Sequence, residues 1–291
     1  MHVRPLVLYH DCCMDGLVSA YMAWRLMRER ADYVPVRYGS PPPPGEGRGV
    51  YIVDFSYPAA QLRALADQSK YVVVLDHHKT AVEELERAAA EGQLPENVKL
   101  RLDTRYAGCR LAGEFFGNMN GSEWIVNYAE DRDLWKFLLP DSREVNAFLS
   151  AQCLGKSFED ACHTLEEVRG MPMKMVVGYG TGAQMQIDCY ARQVAAEARR
   201  VTFAGYANIP LVNLPKACTS DVLHVLTPRA LFAVGWRQED RSAVFSLRSS
   251  DFDVAELAKV YGGGGHKHAA GFTLPFEETA TWRELLAEPT R

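Results

Sequence analysis

The chain has 291 residues, 47% of them hydrophobic, and carries 32 Lys and Arg against 37 Asp and Glu, a net charge of −5. This length and apolar content can bury a substantial core and most often divide into two domains. The acidic balance excludes the broad basic surface of a protein that coats long nucleic acid, so no stable complex with long nucleic acid is expected.

The sequence has no uninterrupted apolar run long enough to span a bilayer, and residues 5–9 form only a short apolar stretch before a polar segment. No membrane partner is therefore expected, and a cytoplasmic location is predicted. Seven scattered cysteines, an odd number, argue against a disulfide framework and favour reduced thiols. A homodimer is compatible with the sequence, on the sole ground that symmetric dimers are the commonest soluble oligomers.

β-Branched runs alternate with helical patterns in the first eighty residues. Strands are predicted over 6–9, 33–38, 50–54 and 71–75, with helices over 17–30 and 59–68. Such alternation predicts a parallel sheet with helices on both faces. The segment 39–49, which contains four consecutive prolines, has no hydrophobic periodicity and predicts an exposed loop with a rim or lid role.

Beyond residue 76 the pattern is mainly helical, and from Val201 it changes to short strands. Helices are predicted over 82–91, 109–116, 123–138, 159–167, 184–200 and 254–261, and strands over 211–214, 231–235 and 243–247. The fold class is therefore α/β, with a parallel-sheet domain over 1–175, a helical linker over 176–200 and a smaller α/β domain over 201–291.

Acids and imidazoles follow three of the predicted strands. These candidate metal ligands and neighbours are His10, Asp11, Cys13 and Asp15 after the first strand, Asp54 after the third, and Asp76, His77 and His78 after the fourth. The carboxyl ends of parallel strands share one edge of an open sheet, where ligands bind, so these side chains should meet. A further acid is expected from the segment 130–135, where Asp131 and Asp133 compete.

The residue types point to a pair of divalent ions. Two ions about 3.5–4 Å apart need about six ligands and a bridging carboxylate, and such a pair activates water and clamps phosphate oxygens. Phosphoester hydrolysis is the predicted chemistry. Taken singly, Asp54 could merely cap the next helix and His10 could be an ordinary histidine. Their joint appearance at successive strand ends favours the metal site.

A second pattern is a run of four glycines, 262–265, followed by two histidines. Glycine lets backbone N–H groups approach an anion, so a phosphate cradle is predicted. Its candidate substrate-binding residues are Gly263, Gly264, Gly265, His266 and His268, joined by Arg248 at a strand end. The plainer interpretations are a flexible or tight turn for the glycines and a solvated strand end for Arg248.

Together these motifs resemble the DHH phosphoesterase superfamily, of the RecJ-like and nano-RNase-like kind, with its DHH-associated C-terminal domain. The resemblance spans essentially the whole chain and rests on 10–16, Asp54, Asp76-His77-His78, Asp131 and 262–272. It implies two divalent ions, usually manganese, in a cleft between the domains, with the C-terminal domain holding the nucleotide or terminal phosphate.

The resemblance also implies individual roles. Asp54 would bridge both ions, His77 would ligate one, His78 would face the scissile phosphate, and Asp76 would orient its neighbours, so that His78 and Asp76 are the catalytic candidates. His266 and Arg248 would meet the substrate's phosphates.

One departure concerns the first motif, where the family has a histidine followed at the fourth and sixth positions by two aspartates. Cys13 takes the place of the earlier aspartate, and Asp15 lies one residue closer to His10 than the family's second. A thiolate ligand at Cys13 would favour zinc, iron or cobalt over manganese, whereas Asp11 could supply a hard ligand instead.

The family's substrates range from short oligonucleotides and dinucleotides to adenosine bisphosphate, polyphosphate and long strands. Net acidity and the lack of an evident basic, aromatic-lined channel disfavour long strands. The sequence favours a phosphodiesterase that cleaves short oligoribonucleotides or linear dinucleotides to mononucleotides. A cyclic-dinucleotide phosphodiesterase and an adenosine bisphosphate phosphatase are alternatives. An inactive nucleotide-binding scaffold is the alternative of another class. Base-stacking candidates are Tyr106, Trp135 and Phe272, each more often a core residue.

Overall fold

The structure is a computed structural model that describes residues 3–11, 13–117 and 119–286, without the side chain of Arg283. The chain divides into two compact units, Met1–Gln184 and Met185–Arg291. This division falls inside a helix, Met173–Ala196, and inside the range predicted as a helical linker.

The first unit is built on a five-stranded sheet. Its elements are β1 (Leu6–His10), α1 (Met14–Met27), β2 (Asp32–Val36), β3 (Gly49–Val53), α2 (Ala59–Gln68), β4 (Tyr71–Asp76), α3 (Lys79–Ala90), β5 (Val98–Leu102), α4 (Gly108–Phe116), α5 (Glu123–Asp133), α6 (Ser142–Cys153), α7 (Phe158–Arg169) and the start of α8 (Met173–Ala196). The strand order is β2-β1-β3-β4-β5, and all pairs are parallel. The predicted parallel α/β sheet is confirmed.

Both faces of this sheet are buried. Leu6 and Leu8 of β1 join one apolar cluster with α2 and α3, whereas Val7 and Tyr9 join another with α1, α4, α5, α6 and α7. Because neighbouring residues of a strand point to opposite faces, a strand covered on both sides must be apolar throughout. This explains the continuous apolar run of β4.

The strand order places a topological switch point beside β1. The chain passes from β1 to β2 on one side of β1 and then crosses to β3 on the other side. The connections that follow β1 and β3 therefore run in opposite directions along the sheet. In open α/β sheets the crevice at such a point, outside the carboxyl ends of the strands, is where ligands bind.

The crossover 37–48 has only its first residues at this edge. Its second half reaches α2, because the Gly47 N–H donates to the Gln68 carbonyl at 2.6 Å and Gly45 packs so tightly on Ser69 that a Cβ would overlap the Ser69 hydroxyl. The rim or lid role predicted for 39–49 stays a prediction.

The second unit is a six-stranded sheet with helices. After the end of α8 it comprises β6 (Arg199–Phe203), β7 (Tyr206–Asn213), α9 (Thr219–Leu226), β8 (Ala233–Glu239), β9 (Ser242–Arg248), α10 (Val254–Val260), β10 (Gly264–His266), β11 (Ala269–Pro275) and α11 (Thr279–Leu285). The strand order is β10-β11-β9-β8-β7-β6, antiparallel except between β7 and β8. One face packs on α10, the other on α9 and the end of α8.

Six cysteines lie within the described residues, all as free thiols, whereas Cys12 lies outside them. In the same part of the chain, no helix combines the length and the apolarity needed to cross a bilayer.

Candidate metal centre

Three carboxylates converge on one imidazole at the carboxyl edge of the first sheet. His77 Nε2 lies 3.1 Å from Asp54 Oδ1, 3.4 Å from Asp15 Oδ2 and 3.5 Å from Asp133 Oδ2. Asp54 follows β3, His77 follows β4, Asp15 lies in the first turn of α1, and Asp133 ends α5. The parallel strands thus bring residues far apart in sequence to one point, as expected for this edge.

Asp54 belongs to two overlapping groups of possible ligands. Asp15, Asp54 and His77 form one group and His10, Asp54 and His78 the other, each with its ligand atoms within 4.8 Å of one another. His10 Nδ1 lies 3.6 Å from Asp54 Oδ2. A carboxylate shared by two groups is what a bridged pair of cations requires.

The backbone of Asp54 is held in a rare conformation. Its φ is 53°, in the left-handed region, and its N–H donates to the Leu75 carbonyl at 2.9 Å. Aspartate tolerates this region better than most residues, but the conformation still carries strain of the kind that concentrates at functional sites.

Two glycines let helices approach this edge closely. A Cβ on Gly108 would lie 2.5 Å from the Asp54 Cβ, and one on Gly16 would overlap the His10 carbonyl oxygen. The approach of α4 also serves Asp15, whose carboxylate accepts the N–H groups of Gly108 at 2.7 Å and Cys109 at 2.8 Å. The positive end of the α4 dipole therefore stabilises the ionised Asp15.

Asp76 is fully buried and binds its two neighbours. Its Oδ1 accepts the His77 N–H at 2.7 Å and lies 2.7 Å from His78 Nδ1, while Oδ2 accepts the Ser56 hydroxyl at 2.5 Å. Because a carboxylate only accepts, Nδ1 of His78 must carry a proton, and in the neutral ring Nε2 then has the lone pair. This geometry suits the orienting role expected of Asp76. Ser56 was not among the residues predicted from the sequence, and its only signal is its place two residues after Asp54.

The carboxylates around His77 titrate unusually. Burial, and then the charge of Asp15, raises the pKa of Asp54 to about 7, and the same two causes raise the pKa of Asp133 to about 7. Burial opposes ionisation of Asp15 as well, but hydrogen bonding and charge from His77 hold its pKa below the ordinary value. Burial likewise opposes protonation of His77, yet Asp133, Asp15 and Asp54 raise its pKa well above the ordinary value.

These residues fit a divalent cation. Asp54 Oδ2 and Asp133 Oδ2 are buried and have no hydrogen-bond partner among the described residues, which is costly for a carboxylate oxygen. A cation would coordinate such oxygens and neutralise the clustered negative charge. Carboxylate and imidazole ligands together suit manganese, iron, cobalt or zinc.

The expected ligand Asp131 lies elsewhere, which corrects the motif match. Its carboxylate oxygens accept the N–H groups of Leu138 at 2.9 Å and Leu139 at 3.2 Å, so it fixes the turn after α5. The two aspartates are two residues apart on one helix and therefore point in different directions. Asp133, the competing candidate, is the one brought to His77.

Asp11 and Cys13 belong to neither of the two ligand groups that share Asp54. Asp11 Oδ2 instead accepts Nε of Arg37 at 2.6 Å, so this carboxylate is already neutralised. Burial, and then the charges of nearby aspartates, raises the pKa of the Cys13 thiol well above its ordinary value. Without a cation Cys13 is therefore a neutral thiol beside the cluster.

One aromatic residue at the cluster was missed. Tyr38 was predicted as the last residue of a strand, but it lies just beyond β2 and its ring contacts those of His10 and His78. An aromatic directly after a strand of this edge is the signal that could have identified it.

Half of the glycine-rich run 262–265 lies in a strand rather than in a loop, and its role as a phosphate cradle stays a prediction. Gly264, Gly265 and His266 form β10, paired with β11. A Cβ on Gly265 would lie 2.6 Å from the Ala269 carbonyl oxygen, and one on Gly263 would overlap the Gly271 carbonyl oxygen. These glycines are thus required for close packing of the hairpin.

The other substrate-binding candidates lie around this hairpin. Arg248 pairs with Ala269 across β9 and β11, and Ala269 pairs with His266, so Arg248 and His266 lie on one face of the sheet. Nε and an Nη of Arg248 donate to Ser220 Oγ at 3.3 and 3.0 Å. His268 is exposed in the turn. A guanidinium and an imidazole on one face can both contact a phosphate.

Both units are similar to known proteins. The DHHA1 domain model matches residues 223–288. The uncharacterized protein R106 of Acanthamoeba polyphaga mimivirus is 25% identical over 94% of this chain and 70% of its own length. The DHH domain of a member of the s1p family of ribosomal proteins has a TM-score of 0.64 at 13% identity, covering 97% of this chain and 85% of that one. An exopolyphosphatase-related protein from Bacteroides fragilis has a TM-score of 0.53 at 13% identity, covering 95% and 88%.

A parallel sheet that delivers a buried Asp-His cluster to its switch point suits the binding of divalent cations. The DHHA1 match lies within the second unit, and the chain shares its fold with that DHH domain and with the exopolyphosphatase-related protein.

Proposed function

We propose that the protein is a metal-dependent phosphodiesterase that hydrolyses short oligoribonucleotides or linear dinucleotides to mononucleotides, with two divalent ions and a preference for manganese. The observation that carries this proposal is Asp54, whose carboxylate is common to both groups of possible ligands. A single-ion site would need no shared carboxylate.

The side chains divide between two positions. Asp15, Asp54, His77 and Asp133 would hold one ion, and His10 and Asp54 would hold the other. Such a pair of ions, when bound, lowers the pKa of a coordinated water and neutralises charge on the phosphate.

The remaining groups serve orientation. Asp76 fixes the ring of His78 through Nδ1, so that Nε2 would be the atom offered to the second position or to the scissile phosphate. Ser56 in turn fixes Asp76. The shared face of Arg248 and His266 would bind a terminal phosphate, which limits the enzyme to attack from one end of a short substrate.

Net charge supports the short-substrate assignment. An overall charge of −5 gives little attraction for a long polyanion, whereas a few local cations suffice for one or two phosphates. Cyclic dinucleotides and adenosine bisphosphate carry the same kind of phosphate and are the competing substrates. The inactive-scaffold alternative is weakened because the ligand groups remain assembled.

The test is hydrolysis of a 5′-labelled ladder of oligoribonucleotides, from two to about twenty nucleotides, by metal-stripped protein resupplied with manganese, cobalt, zinc or magnesium. Fast loss of dinucleotides and slow attack on long strands is expected, with no turnover by Asp54→Asn. Equal rates at all lengths would refute the short-substrate assignment. Inactivity with every ion, together with turnover of a cyclic dinucleotide or adenosine bisphosphate, would replace it with the alternatives.

A further inference from the structure

Tyr38 lies over the second ligand group. Its ring centroid is 5.5 Å from that of His10 and 6.0 Å from that of His78, with interplanar angles of 76° and 77°. The tyrosine therefore meets both imidazoles nearly edge to face, where the proposed scissile phosphate would lie.

The ring is supported but not buried. It packs on Phe55 at a centroid distance of 4.6 Å, and Phe55 is 1% exposed. Tyr38 itself is 53% exposed. A buried aromatic beneath a half-exposed one makes a firm apolar platform, and the exposed part of the Tyr38 ring is accessible to a ligand.

The chain around Tyr38 is fixed. Arg37 donates to Asp11, the Asp11 N–H donates to the Val36 carbonyl at 3.0 Å, and the Ser40 N–H donates to the Arg37 carbonyl at 3.1 Å. Asp11, expected as a metal ligand, is instead a positioning residue for this turn. A ring held in this way loses little conformational entropy when it stacks on a ligand.

The aromatic residues proposed from the sequence are less suited to this role. Phe272 is 3% exposed and stacks on Phe245 and Tyr261 in the core of the second unit. Trp135 is partly buried between Arg132 and Phe137. Tyr106 is exposed, but its recorded ring contact is with Arg105.

We propose that Tyr38 stacks on the nucleobase next to the scissile phosphate, an inference that rests on the proposed dinucleotide activity. Every base has a π-face, so such a residue selects for substrates that carry bases without selecting among them. It would explain how an acidic protein favours short nucleotides over bare phosphate chains.

The experiment compares a linear dinucleotide with its abasic counterpart, which has the same riboses and phosphates, on wild-type protein, Tyr38→Ala and Tyr38→Phe. Tyr38→Ala is expected to raise KM for the dinucleotide about 5- to 100-fold with little change in kcat, because stacking is worth this much per base. KM for the abasic substrate should not change, and Tyr38→Phe should behave like the wild type. Tyr179→Ala, which removes a 61% exposed tyrosine stacked on Phe148, is the matched control.

Three results would overturn the inference. Equal losses of kcat on both substrates would make Tyr38 a support for the histidine rings. A loss in Tyr38→Phe as large as in Tyr38→Ala would point to the hydroxyl group. An unchanged KM for the dinucleotide in Tyr38→Ala would show that Tyr38 does not contribute to substrate binding. Tyr38→Phe also controls for folding, since it keeps the packing on Phe55.

Failure of the proposed function can be told apart from failure of this inference. If the wild type hydrolyses neither substrate, the dinucleotide activity is wrong, and calorimetric binding of adenosine monophosphate and ribose 5-phosphate then tests Tyr38 directly. Tighter binding of the nucleotide that is lost in Tyr38→Ala supports stacking. Equal binding of both compounds by the wild type refutes it.

Discussion

Replacing Asp133 by Asn removes one of the three carboxylates around His77 and keeps the shape of the side chain. In the metal-free protein the pKa of Asp133 is raised from 3.8 to about 7, first by burial and then by Asp15. The folded state therefore holds this proton more tightly than the unfolded state. The free energy of unfolding therefore falls as pH rises from about 4 through 7. At pH 8 Asp133 is ionised in both states, and the full cost of burying its charge is present.

The magnitude follows from that pKa. A change from 3.8 to about 7 corresponds to at most about 4 kcal/mol at pH 8, part of which is shared with Asp15 and Asp54. Asp133→Asn should thus raise the Tm of the metal-free protein at pH 8 by several degrees, since about 1 kcal/mol shifts Tm by about 2–4 °C in a unit of this size. The same variant should bind manganese at least about tenfold more weakly, because a ligand is lost.

Asp131→Asn is the matched control, with the opposite expectation. It weakens the acceptor for the N–H groups of Leu138 and Leu139 and should cost about 1–3 kcal/mol in both metal-free and metal-bound protein. The metal-induced increase in Tm should remain. Thermal melting at pH 8 with and without manganese measures both variants. A lost metal response in Asp131→Asn together with a normal one in Asp133→Asn would refute the geometry and restore the motif match.

Further predictions concern pH, packing and orientation. Two carboxyl groups with pKa values of about 7 compete with cations for protons, so manganese affinity measured by calorimetry should rise from pH 6 to pH 8 with release of protons; a flat profile would contradict this. Gly108→Ala should displace Asp54 and lower metal-dependent turnover at least about tenfold, whereas Gly170→Ala, whose Cβ would meet its nearest atom at 3.8 Å, should not. Ser56→Ala leaves a buried oxygen of Asp76 without its hydroxyl donor and should cost about 10- to 100-fold in turnover, with rescue by Ser56→Thr; full activity of the alanine variant would exclude the orienting role.

The central strands could be predicted because burial on both faces forces continuous apolar runs, as in β4. The edge strand β5 was not predicted, although its alternation of Val98, Leu100 and Leu102 with Lys99 and Arg101 is the pattern of a half-buried strand. The ends of these strands could also be predicted, because polar residues follow directly where the apolar runs stop. The candidate metal ligands Asp54 and His77 were found in this way.

The helix end near Asp133 could not be predicted from periodicity. The apolar pattern continues to Leu138, but Trp135 and Phe137 adopt positive φ values of 53° and 48° in a turn that wraps around Asp131. Left-handed aromatic residues are stabilised by tertiary contacts, which local propensity does not contain. Whether Asp131 or Asp133 reaches His77 therefore depends on where α5 ends.

Tyr38 and Asp11 show a limit of a different kind, since their roles depend on strand order. The pairing of β1 with β2 brings the residues after both strands together, so Asp11 meets Arg37 and the ring of Tyr38 reaches His10. A sequence can reveal that two strands are parallel without revealing that they are neighbours. The motifs thus located the charged residues of the candidate metal centre. The order of the strands in the sheet, which the motifs do not reveal, places the ring of Tyr38 beside His10 and pairs Asp11 with Arg37 in the turn that carries this ring.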